Sequence, residues 1–391
     1  MNKTIYLASP QMLGNEYKYM EDAMKSNWIA PLGPYVNKCE QMVSDFFGVE
    51  CAAVSSGTAA LHLAMIECGV GPGDIVFCSD MTFVASVNPA IYQGAKPVFI
   101  DCDNVSRNMD PVALELAFEK YGTPKAVIVP HLYGCPADRK IFDICAKHKA
   151  TIVEDAAEVM GAYYKTECND IYAGTIGRFG VFSFNGNKIV TGSTGGMVLC
   201  STPEEKKRFV HLSTQAKIGD PSIYLHREIG YNYRMSNLVA AILCAQMEDL
   251  GRKIQMKRNI YSIYKTNLEG FHGCKMLPVP DDRVSNYWLS CLITDDDSGD
   301  LVVDLVDKLE RMNIQTRRVW TPLHIQPVFI GKADFVTANT GTPNSVSFFR
   351  RALCIPSDTN MTESDQMRVI DAISGIITDS YKEREHRHAG E

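Results

Sequence analysis

The sequence has no apolar run long enough to cross a membrane, no CxxC pair, no block of like charges, no internal repeat and only three tryptophans. Each absence removes a class of protein. Without about 20 consecutive apolar residues, no membrane-spanning helix is expected. The thirteen cysteines are scattered and odd in number, with no Cys/His grouping at zinc spacing, so neither a metal site nor a disulfide framework is read from them. Most, including Cys78, Cys200, Cys244 and Cys291, lie among apolar neighbours, where a reduced thiol behaves as a small hydrophobe. That usage fits a reducing compartment. The formal net charge is −7 and well dispersed, which makes nucleic acid and anionic membranes poor partners. The opening residues Met1 to Tyr6 lack a signal-peptide core, so the expected location is the cytoplasm.

What is present is a large supply of core-forming residues. The chain has 391 residues, 46% of them hydrophobic, enough for roughly two or three domains. Helical spacing predicts helices over 16–26 and 37–47, separated by the apolar loop Trp28-Ile-Ala-Pro31-Leu-Gly-Pro34. From residue 51 strands and helices alternate, with strand-like runs at 51–54, 75–78, 97–100, 126–130 and 151–153. Such alternation predicts an α/β fold with a mostly parallel central sheet flanked by helices. Ser236-Asn237 caps a long helical segment running to Tyr264, with a kink expected at Gly251. The remainder reads as a smaller α+β domain, closed by a helix over 362–377. The division is therefore placed between residues 1–250 and 251–391.

One lysine stands out. Lys188 lies in Phe182-Ser-Phe-Asn-Gly-Asn-Lys188-Ile-Val190, on an expected exposed corner before the Gly-rich turn 192–196. Apolar neighbours disfavour a lysine's charged form and free its amine as a Schiff-base nucleophile. Three other features accompany it. Ser56-Gly57-Thr58-Ala59 opens a buried helix, whose free amides and dipole suit a phosphate, although taken alone an ordinary N-cap is the better explanation. Asp155 and Glu158 follow the strand-like run 151–153, at the sheet edge where α/β folds bind ligands. An acid there can hold a ring nitrogen protonated. Phe83 lies beyond another strand end and could stack on a flat ring. Pyridoxal phosphate needs a phosphate cup, a pyridinium partner, a stacking ring and a lysine. The chain offers one of each, with the Ser183 hydroxyl as a further phosphate contact.

These motifs, with Asn27–Gly33, Ser55–Leu61, Thr82–Ala85, His131–Gly134, Gly230-Tyr-Asn-Tyr-Arg234 and Pro322-Leu-His324, resemble the DegT/DnrJ/EryC1/StrS family of sugar-nucleotide aminotransferases from end to end. The resemblance implies the fold-type I aspartate aminotransferase architecture. It implies that Lys188 is the Schiff-base lysine and that Asp155 pairs with the pyridine nitrogen. Gly57, Thr58, Ala59 and Ser183 would hold the phosphate, Phe83 would stack, and Glu158 would face the phenolic oxygen. Asn232 would reach the cofactor of a partner subunit, so a homodimer with interfacial sites is expected. Trp28, Pro31, Asn187, Trp320 and His324 would border the sugar nucleotide.

The implied reaction is transamination in two halves, from L-glutamate to a nucleotide-linked keto sugar, with Lys188 moving the protons. The loop Trp28–Gly33 together with Ser183–Lys188 resembles C4 aminotransferases acting on UDP-linked 4-keto-6-deoxy-N-acetyl sugars of bacillosamine-type pathways. GDP-perosamine-type synthases and C3 aminotransferases are the alternatives. A related sugar dehydratase is disfavoured because those invoked carry histidine in place of the lysine. A vestigial binding protein is disfavoured by the full set of Lys188, Asp155, Ser183 and Asn232.

Overall fold

Short runs of Val, Ile, Phe, Ala and Cys, bounded by turns, form the strands of the main sheet. The computed structural model describes residues 3–219 and 222–389. Its principal strands are β1 (Glu50–Val54), β2 (Ile75–Ser79), β3 (Lys96–Ile100), β4 (Ala126–Pro130), β5 (Ile152–Asp155), β6 (Phe179–Ser183), β7 (Gly196–Cys200) and β8 (Asp334–Val336). They build one eight-stranded sheet in the order β1-β7-β6-β5-β4-β2-β3-β8. Only β7 runs against its neighbours; the other seven are parallel. Parallel sheets need cover on both faces, and the strands are accordingly buried almost throughout. The carboxyl ends of β2, β4, β5 and β6 therefore open on one edge, together with the loops that follow them.

Helix α1 (Gly57–Glu67) is apolar nearly all round and packs under that edge, as its composition predicts. The long helical segment is two helices, α2 (Asn237–Glu248) and α3 (Leu250–Leu268). They break at Asp249, just before the glycine where a kink is expected. The Ser236 side chain caps α2 by accepting from the Val239 amide.

The later part of the chain forms a four-stranded antiparallel sheet from Lys275–Met276, Ser290–Ile293, Ala352–Ile355 and Arg317–Arg318. Its core joins Leu301, Leu305, Ile373 and Ile377 to one side of α3. The closing helix spans Glu363–Ala389, longer than its apolar spacing suggests. Two segments cross a division at residue 250. Strand β8 comes from the later part yet pairs with β3. Ile5 bridges Ile314 and is buried in the later part's core. Hydrophobic contact, rather than position along the chain, decides which body each segment joins.

Candidate active site

A cavity of about 410 Å³ opens at the carboxyl edge of the main sheet. Its walls include Gly57, Thr58, Phe83, Asp155, Glu158, Ser183, Asn187, Lys188 and Trp320, nine of the positions singled out from sequence. Five others lie off its walls. The Ala59 amide, expected to meet a phosphate, donates to the Ser56 hydroxyl at 3.0 Å. Trp28 and Pro31 are exposed on a loop held by Asn237, which donates from its side chain to the Trp28 carbonyl at 2.9 Å and from its amide to the Ala30 carbonyl at 3.0 Å. His324 is bound to Asp80, Nδ1 to Oδ2 at 2.7 Å, and stacks on Phe335 with ring centroids 3.9 Å apart. Asn232 is exposed beside Thr214. Within one chain, then, neither the 28–34 loop nor His324 borders the lysine.

The phosphate cup is built by the junction of α1 with β6. Gly57 and Thr58 are the first two residues of the helix, so no helical carbonyl can accept from their amides. A Cβ on Gly57 would lie 2.8 Å from the Ser183 Cβ, so glycine is required for this close approach. The Ser183 hydroxyl is brought against the same helix terminus. An anion there meets free N–H donors and the positive end of the helix dipole.

Asp155 ends β5 and is buried. The Ser86 hydroxyl donates to its Oδ2 at 2.7 Å, and the Ala157 amide to its Oδ1 at 3.2 Å. Ser86 is in turn paired with Thr82 at 2.8 Å. The carboxylate is thus aimed by hydroxyls of the segment that also carries Phe83. Phe83 remains half exposed, its ring 5.1 Å from that of Trp320.

Lys188 is not on an exposed corner: its side chain is only 13% exposed. Ile189 and Val190 turn into the core as expected. Nζ itself meets polar company, 3.5 Å from Glu158 Oε1 and 3.9 Å from the centre of the Trp288 ring. A carboxylate and an aromatic face both attract an ammonium. The wall around the amine is therefore mixed, where the flanking residues suggested an apolar one. Burial pushes the Glu158 carboxyl above its ordinary value, opposed by Lys188 and by the Tyr133 amide, which donates to Oε2 at 2.7 Å.

Sequence reasoning missed Trp288, Ser86 and Arg317 as cavity residues, and gave no role to His131, which it had only as part of a motif. Trp288 is fixed on three sides. Its indole Nε1 donates to the Asn187 carbonyl at 2.7 Å, its amide to Asn286 Oδ1 at 2.9 Å, and its carbonyl accepts from buried Lys257 at 3.0 Å. Asn286 also donates to the carbonyls of Glu158 and Met160 at 3.0 and 3.1 Å. Its Oδ1 would sit 2.2 Å from a Cβ on Gly134, which explains the glycine ending His131–Gly134. The scarcity of tryptophan was the available signal for Trp288, but only the fold brings it over a lysine 100 residues earlier. His131 accepts at Nδ1 from the Ala137 amide at 2.9 Å, so its Nε2 carries the hydrogen that bonds Glu154 at 2.9 Å.

The donor set fits one kind of group. A helix terminus with a hydroxyl suits a phosphate, a buried and aimed carboxylate suits a protonated ring nitrogen, and an enclosed amine suits an aldehyde. Among the described residues no cluster of His, Cys, Asp and Glu could hold a metal ion, and no helix is long and apolar enough to cross a membrane.

Known proteins agree with this chemistry. The sequence profile of the DegT/DnrJ/EryC1/StrS aminotransferase family matches residues 10–374. EpsN of Bacillus subtilis (strain 168), provisionally named a pyridoxal phosphate-dependent aminotransferase, is 44% identical over 382 residues, covering 95% of this chain and 96% of EpsN. The GDP-perosamine synthase of Escherichia coli O157:H7 is 32% identical over 381 residues, covering 96% of this chain and 100% of that protein. The solved structure of the aminotransferase TlmJ from Streptoalloteichus hindustanus matches with a TM-score of 0.87 at 25% identity, covering 96% of this chain and 100% of TlmJ.

Proposed function

Because the chain belongs to the DegT/DnrJ/EryC1/StrS aminotransferase family, we propose that it moves an amino group from L-glutamate to the C4 ketone of a UDP-linked 4-keto-6-deoxy-N-acetyl sugar. That it is a pyridoxal phosphate-dependent sugar aminotransferase follows from the family itself. The observation that carries the catalytic reading is the enclosure of Lys188 in one cavity with Asp155 and the start of α1. The UDP and C4 assignments rest on the sequence of the 28–33 loop and of Ser183–Lys188. The similarity to a GDP-perosamine synthase favours a GDP-linked substrate as the second reading.

Pyridoxal phosphate, when bound, supplies an electron sink for the carbon that loses its proton. The chain supplies the rest. The amides of Gly57 and Thr58 and the Ser183 hydroxyl would hold the phosphate. The Asp155 carboxylate, oriented by Ser86, would keep a proton at the ring nitrogen, and Phe83 would stack on the ring. Lys188 Nζ would hold the aldehyde, and as a free amine it would carry the proton away from the donor's α-carbon. In the second half it returns a proton to the carbon that was the sugar ketone. One amine can do both because Glu158 and the Trp288 ring keep Nζ in a single place. Asn232, exposed and off the cavity wall, is suited to reach the phosphate site of a second copy.

The test is substitution of the lysine and a substrate panel. Lys188→Ala should abolish turnover and the visible absorbance of the bound cofactor that glutamate bleaches; retention of both defeats the assignment. UDP-, GDP- and dTDP-linked keto sugars assayed with glutamate, with the product's amine position read by NMR, separate the first reading from the second.

A further inference from the structure

Behind the main cavity lies a small side chamber of about 80 Å³. It shares Asn187, Trp288, Arg317 and Trp320 with the main cavity, so these four residues form the partition between the two. Its inner wall adds Arg318 and Tyr133.

The buried polar atoms left without a partner around this chamber are two donors and one acceptor, the acceptor being Asn187 Oδ1. The Trp320 indole N–H and Arg318 Nε are both buried and have no hydrogen-bond partner. Arg318 lies over the Phe349 ring and donates Nη2 to the Phe349 carbonyl at 3.0 Å. Burial alone, with no opposing acid, pushes its guanidinium below the ordinary value. Arg317 contributes a second guanidinium at the mouth. Among the described residues neither arginine is paired with a carboxylate. Buried donors without acceptors are costly, and the two donors outnumber the one free acceptor, so the recess favours an occupant that accepts hydrogen bonds, as an anion beside a guanidinium does.

Size selects the anion. A water fills about 30 Å³ of liquid, so the chamber holds two or three waters or one carboxylate group, and a nucleoside diphosphate does not fit. Transamination also requires one cavity to accept both a charged amino acid and an uncharged sugar ring in turn. A separate cationic recess resolves that conflict, because it attracts the first and offers the second nothing.

We propose that this side chamber is the subsite for a carboxylate of the amino donor, held by Arg318, Arg317 and the Trp320 N–H. The inference rests on the reading of glutamate as donor. It assigns the donor's recognition to the Arg317–Trp320 segment of the second sheet, and leaves the nucleotide to the open side of the main cavity.

The experiment uses the holoenzyme and three probes: L-glutamate in single turnovers followed by cofactor absorbance, glutarate as a competing dicarboxylate without an amine, and UDP. Arg317→Gln, Arg318→Gln and Trp320→Phe are compared with the parent, and Arg318→Lys tests rescue. Arg317 is exposed, so its loss leaves folding intact even if Arg318→Gln fails to fold. A lost charge-assisted hydrogen bond should weaken glutamate and glutarate by about tenfold or more. In Arg317→Gln and Arg318→Gln the limiting single-turnover rate and UDP affinity should change less than about twofold, with partial recovery in Arg318→Lys. Glutarate affinity unchanged in Arg317→Gln and Trp320→Phe overturns the proposal. So does a loss of UDP affinity with glutarate binding kept, which would make the recess a phosphate site. If the parent itself neither reacts with glutamate nor binds glutarate, while another amine converts its cofactor, the donor reading has failed. The carboxylate subsite then stands only if that amine's own carboxylate shows the same losses.

Discussion

Glu158 shows how a single residue's surroundings set its behaviour. It is buried, accepts from the Tyr133 amide and faces Lys188 at 3.5 Å. Tyr133 itself has a left-handed backbone at φ 50°. Such strain in a non-glycine residue persists where the surrounding structure over-determines it, as at ligand sites. Because burial raises the Glu158 carboxyl, the folded chain binds more protons than the unfolded one above about pH 4.3, the value for a free glutamate. Stability contributed by this group therefore falls as pH rises from there through the folded value. Glu158→Gln removes that loss. Calorimetry of the cofactor-free protein should show the variant gaining in Tm on the parent between pH 4.5 and 7.5, and a constant difference would count against the sign argued here.

At the scale of elements, the start of α1 and the end of β6 act as one unit. Their approach depends on the missing side chain at residue 57. Gly57→Ala must push the helix terminus off Ser183, costing about 1–3 kcal/mol in stability. The same displacement moves two amides and a hydroxyl from a shared focus. The rise in Tm produced by adding pyridoxal phosphate should shrink in this variant, beyond the loss seen without cofactor. An equal rise in both proteins would show that the junction does not hold the phosphate. The helix and strand were legible from sequence because both are strongly apolar with clear turn signals. That the Ser56 hydroxyl accepts from the Ala59 amide was not legible, because capping geometry is settled only when the terminus is built.

For the whole molecule, the N-terminal segment ties the chain's two ends together. Ile5 pairs with the backbone around Ile314, the Leu7 carbonyl accepts from Ser357, and Ser9 bonds Asp358. The Ile5 side chain alone buries enough apolar surface to contribute about 2–3 kcal/mol. Deleting residues 1–9 should therefore loosen the second sheet more than the main one. Hydrogen exchange should accelerate at 314–318 and 352–357 while β4 and β5 keep their protection; uniform acceleration would contradict the picture. Since Leu7 and Ala8 also line the side chamber, the truncated protein should lose glutamate affinity as well.

The alternation of strand and helix, the buried helix after Ser56, the acid ending β5 and the lysine after Ser183 were all determined by local sequence. They depend on periodicity, turn chemistry and short-range order, which act between near neighbours. The family resemblance then assigned their roles. Tertiary structure alone decided the rest. It enclosed Lys188 and set Trp288 across its amine. It moved His324 onto Asp80 and the 28–34 loop onto Asn237, and it left Arg317 and Arg318 without acids. Each of these joins residues far apart in the chain. Their contacts are fixed by which faces must be buried together, and no local pattern encodes that choice.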